Sequence, residues 1–388
     1  MSTKVVLPRT MHVGKDSIEK VAEAMKALNA SKPLIITDKI MVSLGYIDKI
    51  DAILSKNNYH AAVFSDTVPE PTASSITAGV TIVQEGDFDC IIAVGGGSPI
   101  DSAKAIGIVG KFGGKARDYK FPRDVTEQGL PIIAIPTTAG TGSEATRFTI
   151  ITDDASDEKM LLSGDGFMPH TAIIDYNLTL SLPTRTTADC GLDALTHAIE
   201  SYVSKKANPF SDHQALAAIR LIAPNLRNVY RNPKDEDGRE ALMLGSTLAG
   251  IAFSNASVAL IHGMSRPIGA FFHVPHGLSN AMLLPVITEF SIENAQARYA
   301  DCARAMGVSN IQDSNSVACN KLVTELRSLN KDLEVPSMEK YGIDSDRFHD
   351  LLPIMAEQAL ASGSPSNNPR VPSVDEMIKL YKKVWLDK

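Results

Sequence analysis

The chain changes character once, near Pro183, and that change limits the folds open to it. Before it, short apolar runs rich in β-branched residues recur between helical patterns. They are PLIITD at 33–38, AAVFSD at 61–66, CIIAVGGG at 90–97, PIIAIPTT at 131–138 and TAIIDY at 171–176. Strands that alternate with helices need crossover connections, and crossovers build a mostly parallel sheet. The opening segment, KVVLPR followed by MHVGKDSIEKVAEAM, reads as a strand or hairpin feeding the first helix, with Gly14 as its turn. After Pro183 the β-rich runs become rare, and amphipathic stretches take over at 190–204, 211–230, 238–255, 294–306 and 315–329. ASGSPSNNPR at 361–370 is a polar loop before a last helix. The expected architecture is an α/β N-terminal domain over 1–183, with a mostly parallel, Rossmann-like sheet, and an all-α C-terminal domain over 184–388.

Composition narrows the partners. A chain of 388 residues, 44% hydrophobic and 21% charged, suits a globular protein with two cores. A net charge of −7, and no basic cluster longer than Lys382-Lys383, argue against nucleic-acid or anionic-membrane surfaces. Cys90, Cys190, Cys302 and Cys319 show no CxxC spacing, and MSTKVVLPRT lacks the apolar core of a signal peptide. No run approaches the roughly 18 apolar residues that a membrane span needs. A cytoplasmic, non-membrane protein is the expectation.

The clearest ligand signal in the first half is DCIIAVGGGSPIDSAKAIGIV at 89–109. An apolar strand ends in Gly95, Gly96 and Gly97. Ser98 can then cap a helix, with Pro99 in its first turn and Asp101 three residues past the cap. Glycines let backbone approach a phosphate, and a helix N-terminus offers free N–H groups with a partial positive charge. The spacing is neither G-x-G-x-x-G nor a Walker loop, and a tight strand-to-helix turn would explain it equally well. Asp38, closing PLIITD, stands where an acidic residue bonds an adenosine ribose and disfavours a 2′-phosphate; a helix cap is its other reading. PTTAGTGSEAT at 136–146 crowds Thr137, Thr138, Thr141 and Ser143 around two glycines, so hydroxyls and amides there can line a cofactor. Two such loops at the ends of parallel strands mark where open α/β sheets bind ligands.

The second half carries Asp193 and His197 in DALTHAIE, then His262 and His276 in IHGMSRPIGAFFHVPHG. The first pair stands at i and i+4, on one helix face. The second is separated by 14 residues with Gly263, Pro267, Gly269, Pro275 and Gly277 in or beside the interval, which suggests two helix ends joined by a loop. Singly, such residues are usually a surface ion pair or core histidines. Together, three imidazoles and a carboxylate make a site suited to Fe(II), Zn(II), Co(II) or Ni(II), able to polarise an alcohol oxygen.

GGGSPIDSAKA, PTTAGTGSEAT, Lys159 in EKMLL, IIDYNLTLSLP, GLDALTHAIESY, and the HGM and PHG of 262–277 together resemble the iron-dependent, or group III, alcohol dehydrogenases. This family includes lactaldehyde reductases and propanediol dehydrogenases, and its fold is shared more distantly with dehydroquinate synthase. The resemblance spans essentially the whole chain. It implies that Asp193, His197, His262 and His276 hold Fe(2+), with Zn(2+) as the alternative. It implies NAD contacts at Asp38, Gly96, Gly97, Ser98, Thr137, Thr138, Thr141 and Ser143, with Lys159 near the ribose and Leu178 and Leu182 at the adenine. It also implies a homodimer formed through the N-terminal segment.

The implied reaction interconverts a small alcohol and its aldehyde or ketone, by metal activation of the alcohol and hydride transfer to nicotinamide. Many relatives carry a histidine four residues after the first HGM ligand, and this chain has Arg266. A guanidinium cannot serve as general base, but it can grip an anionic group. Arg266 and His273 are therefore the catalytic candidates, and a hydroxy-acid or semialdehyde dehydrogenase is the alternative activity. A dehydroquinate-synthase-like lyase and a catalytically silent NAD-binding protein are the remaining readings. Substrate-pocket candidates are Phe148, Phe253, Met264 and Phe272.

Overall fold

The computed structural model describes residues 2–156 and 158–387, which divide into two compact units at Leu182/Pro183. The sequence expectation put this division one residue later.

In the α/β unit six strands form one sheet: β1 (Thr10–Val13), β2 (Pro33–Ile36), β3 (Ala62–Phe64), β4 (Cys90–Gly95), β5 (Ile132–Pro136) and, last in the chain, a strand at Thr171–Ile174. Between β5 and that last strand lies a pair the sequence analysis did not foresee, β6 (Phe148–Asp153) and β7 (Glu158–Ser163), so Thr171–Ile174 is β8. The sheet order is β1-β8-β5-β4-β2-β3, and every pairing in it is parallel. The opening segment therefore forms a strand beside β8 rather than a hairpin, and Gly14, at φ 117°, makes the turn after it. Helices α1 (Val21–Ala27), α2 (Lys39–Ser43), α3 (Tyr46–Lys56), α4 (Ala73–Glu85) and α5 (Gly97–Phe112) supply the crossovers.

A parallel sheet is covered on both faces, so its strands read as continuous apolar runs. Alternate residues feed separate cores. Leu34, Ile36, Ile91, Ala93, Ile132 and Ala134 pack with residues of α4 and α5. Ile35, Ile92, Val94, Ile133, Ile135 and Ile173 pack with residues of α1 and α3. The chain runs outward from β2 to β3, crosses back to β4, and then proceeds the other way through β5 and β8. Strands β2 and β4 thus flank the topological switch point, where open α/β sheets place ligands. β6 and β7 form a separate antiparallel hairpin.

The second unit is helical: α6 (Thr184–Val203), α7 (Pro209–Arg231), α8 (Glu236–Asn255), α9 (Leu260–Phe272), α10 (His276–Ser291), α11 (Gln296–Ala305), α12 (Asn315–Asp332), α13 (Met338–Tyr341), α14 (Ser345–Ala361) and α15 (Val374–Leu386). α6 is buried along most of its length, which suits a central helix. The interval between His262 and His276 is mostly α9 itself, with Pro267 inside it, and only residues 273–275 form a loop. The two histidines therefore lie at two helix beginnings. Among the described residues no single helix is long and apolar enough to cross a membrane.

Candidate metal centre and nucleotide loop

Asp193 and His197 project from one face of α6, one turn apart. His262 lies in the first turn of α9, and His276 opens α10. Glycines bring the last two in. A Cβ at Gly277 would stand 2.4 Å from the backbone oxygen of Asp189, so only glycine lets the start of α10 touch α6. A Cβ at Gly263 would meet the Pro365 ring at 2.6 Å.

One ligand atom from each of the four side chains falls within 4.8 Å of the others. Asp193 Oδ1 lies 3.5 Å from His262 Nε2 and 3.7 Å from His276 Nε2, and Oδ2 lies 4.0 Å from His197 Nδ1. His197 stacks on Phe253 and on His262, each at 4.3 Å between ring centroids. Asp193, His197 and His262 are buried, whereas 40% of the His276 side chain is exposed. The cluster is thus open on one side, as a metal that must admit substrate requires.

Two further side chains complete it, and neither was singled out from sequence. Glu200, on α6, is buried, and its Oε2 accepts the His262 Nδ1–H at 2.7 Å. Asn280, on α10 and wholly buried, places Nδ2 2.7 Å from Asp193 Oδ1, 3.1 Å from His262 Nε2 and 3.2 Å from His276 Nε2. Burial alone would raise the Asp193 carboxyl, but the three imidazoles outweigh it and hold the group well below the usual carboxylate range. Burial works against charge on His262 as well, yet Asp193 and Glu200 raise it to about 9. No lysine or arginine pairs with Asp193 among the described residues; its ion-pair partners are the three histidines. A carboxylate and three imidazoles converge with no lysine or arginine among them, and a donor amide nitrogen bridges three of them. The donor set fits a divalent first-row metal ion.

In the α/β unit, Gly95 adopts φ 145°, and α5 begins at Gly97 with Gly96 as its N-cap. Ser98 does not cap: it stands inside the first turn, and its Oγ accepts the Glu70 N–H at 3.2 Å. The glycines make room for the neighbouring loop, since a Cβ on Gly96 would stand 3.2 Å from Thr138 Cγ2 and one on Gly97 2.8 Å from Thr141 Cγ2. The two loops proposed to line a cofactor are therefore in contact.

Beneath them lies a buried network. Lys104 Nζ, wholly enclosed, donates to Ser143 Oγ, Thr146 O, Thr146 Oγ1 and Phe148 O at 2.8–3.0 Å. Asp101 accepts from Ser143 Oγ at 2.6 Å and from the Ile150 N–H at 3.0 Å. Burial pushes the Lys104 ammonium down to about 8 against the pull of Asp101, and burial raises Asp101 against the pull of Lys104.

Asp38 caps α2, but both N–H groups it accepts reach the same oxygen, Oδ1. Thr137 is buried, and its Oγ1 has no hydrogen-bond partner. Lys159 Nζ pairs with Glu70 at 3.0 Å. Leu178 packs into the core shared by α1 and α3, while Leu182 is half-buried. Arg266 follows His262 by one turn of α9 and donates no hydrogen bond to a described residue. Burial lowers its pKa while Glu200 opposes the shift. His273, exposed in the left-handed conformation at φ 53°, ends α9 beside a cavity of about 190 Å³ lined also by Phe272, Tyr341, Asp344 and Arg347. Of the other pocket candidates, Phe253 stacks on His197 and Met264 is wholly buried.

A parallel sheet with a glycine turn at its switch point, joined to a helical unit holding an Asp/His/His/His cluster, defines a metal-dependent dehydrogenase class. Residues 8–176 match the family "Iron-containing alcohol dehydrogenase", and 187–385 match "Fe-containing alcohol dehydrogenase family, C-terminal". Long-chain-alcohol dehydrogenase 1 of Geobacillus thermodenitrificans is 38% identical over 90% of this chain and 89% of its own. Lactaldehyde reductase of Escherichia coli K12 is 33% identical over 99% and 100%. A crystal structure of 1,3-propanediol oxidoreductase superposes with a TM-score of 0.95 at 33% identity, covering 99% of this chain and 100% of the other. Sulfoacetaldehyde reductase from Bifidobacterium kashiwanohense, solved with NAD+, gives 0.89 at 25% identity, with 99% of each chain covered. The chain belongs to the iron-containing alcohol dehydrogenase family. It is a metal-dependent oxidoreductase acting between alcohols and aldehydes.

Proposed function

We propose that the enzyme interconverts a small alcohol and its aldehyde with NAD(H), using iron held by Asp193, His197, His262 and His276. The observation that carries this reading is the convergence of those four donors within 4.8 Å, in a cluster open at His276. When bound, iron supplies a Lewis acid for the substrate oxygen and the dinucleotide a hydride acceptor, neither of which a side chain can provide. The chain's own residues set the conditions. Asp193 contributes the only charge among the four ligands, so the loaded site keeps a net positive charge to stabilise an oxyanion. Phe253 and the buried wall around His197 exclude water from one side.

For the cofactor, the free N–H groups at the start of α5 suit a pyrophosphate. Gly96, Gly97, Ser98, Thr137, Thr138, Thr141, Ser143, Lys159, Leu178 and Leu182 remain its proposed contacts. Ser143 would act by shaping the loop, because its hydroxyl is already shared by Asp101 and Lys104. Asp38, which follows β2, would meet a ribose hydroxyl and repel a 2′-phosphate through Oδ2, the oxygen that the cap leaves unused. The solved relative bound to NAD+ supports the same choice. Arg266 and His273 are the proposed side chains for substrate orientation and proton transfer. Arg266 would hold its substrate through N–H groups that no described residue occupies, and His273 is exposed to solvent.

Anaerobic reconstitution with Fe(II), followed by short aldehydes and semialdehyde acids assayed with NADH and NADPH, tests the whole reading. Reduction of a neutral short aldehyde with NADH preferred is expected. Loss of that preference would remove the role of Asp38, and turnover of the acids alone would replace the neutral substrate by the anionic one.

We further propose a homodimer built on the β1 edge, where Met11 and Val13 stand 39% and 48% exposed and the side of β1 away from β8 has no neighbouring strand among the described residues. Light scattering should give twice the monomer mass, and Val13→Lys should halve it. A reducing cytoplasm is the proposed location, supported by four free thiols, three of them buried.

A further inference from the structure

We propose that Glu200 is a positioning residue for the metal centre, holding His262 in the one tautomer that can bind the ion. Helix α6 presents Asp193, His197 and Glu200 at i, i+4 and i+7, so the helix that carries two ligands also carries the holder of a third. An ionised carboxylate can only accept. Its 2.7 Å contact with His262 Nδ1 therefore keeps a proton on Nδ1 and makes Nε2, which faces Asp193 and Asn280, the nitrogen that an ion can take.

The same carboxylate also fixes where His262 stands. No side chain caps α9 from its own N-cap position, Ala259. Glu200 instead accepts the N–H groups of Ala259 at 2.9 Å, Ile261 at 2.5 Å and His262 at 3.4 Å, groups that a helix start leaves without partners. Both the ring and the backbone of His262 hang on one buried residue of another helix. A glutamine keeps the volume, but its amide end would face N–H donors, so at least one contact is lost and the Nε2–H tautomer becomes accessible. Partners of this kind commonly change metal affinity by about 10- to 100-fold.

This inference rests on the metal-site reading above, and the experiment separates the two. The affinity of the full-length, metal-free protein for Zn(II) is measured by competition with a chromophoric chelator, for wild type, Glu200→Gln and Glu200→Asp, beside the Tm of each metal-free protein. If wild type binds no metal, the site reading fails. If wild type binds and Glu200→Gln binds about 10- to 100-fold more weakly with a comparable metal-free Tm, Glu200 positions His262. Equal Zn(II) affinity in Glu200→Gln overturns the proposal, whatever the change in Tm. Where Glu200→Gln does not fold, Glu200→Asp decides. It keeps the charge but withdraws it by one methylene, so weaker binding supports the proposal and unchanged binding overturns it.

Discussion

The helical unit and the α/β unit each bury a cluster of charged side chains, and the clusters differ in where the cation comes from. Around Lys104 the chain supplies its own: an ammonium sits among four oxygens at 2.8–3.0 Å, with Asp101 as its countercharge on the same helix. Around Asp193 no described lysine or arginine enters, and its partners are three imidazoles and the Asn280 amide. A cluster that contains its cation is complete once the chain has folded. One that lacks it reserves part of its stabilisation for a ligand.

The largest test of that contrast is Asp193→Asn. Removing the only charged ligand should abolish stoichiometric iron and lower kcat/KM on the order of 10³-fold, about 4 kcal/mol, so that metal content and turnover carry the main loss. Elemental analysis beside kinetics reads both quantities, and full iron content in the variant would break the assignment. Lys104→Met should do the opposite. It strands Asp101 and several buried oxygens, so denaturant unfolding should show a loss of about 3–5 kcal/mol, partly recovered in Lys104→Met/Asp101→Asn. No loss would mean that the cage is dispensable.

Smaller effects sharpen the same comparison. Gly97→Ala drives a Cβ against Thr141 Cγ2, and a raised KM for NADH of roughly tenfold is expected, eased by adding Thr141→Ser. An unaltered KM would separate the glycine turn from cofactor binding. Last comes a pH slope. Lys104 is pushed down to about 8 from an ordinary 10.5, so between those values the unfolded chain holds a proton the folded one lacks. Its contribution to stability therefore rises with pH across that window, by at most about 1.4 kcal/mol per pH unit. The difference between wild type and Lys104→Met isolates this slope from the buried thiols, and identical curves would refute it.

The four-residue cluster was legible because helix periodicity is written into the spacing of Asp193 and His197, and because glycines flank both later histidines. What the glycines do was not legible: Gly277 serves an approach to a carbonyl on α6, a relation between elements far apart in sequence. Glu200 lay in plain view three residues past His197, on the ligand face of α6. Its partner's helix start could not be known before α9 was placed. Proline and glycine inside 263–275 suggested a loop, but Pro267 is accommodated within α9, since a helix in a buried setting tolerates what its local sequence disfavours. The β6–β7 hairpin was hidden because β7, EKMLLS, opens on two charged residues and holds no β-branched or aromatic side chain. Ser98 matched a cap by composition, yet Gly96 took the position because the preceding Gly95 already turns the chain through a left-handed φ.

The bridging amide of Asn280 bears on the order of assembly. Because it links three of the four groups from within the fold, it can hold them near one another before an ion arrives. A protein built this way can leave the ribosome empty and be filled later. The ion it then holds is decided as much by which one the cell offers, and in which oxidation state, as by the pocket itself.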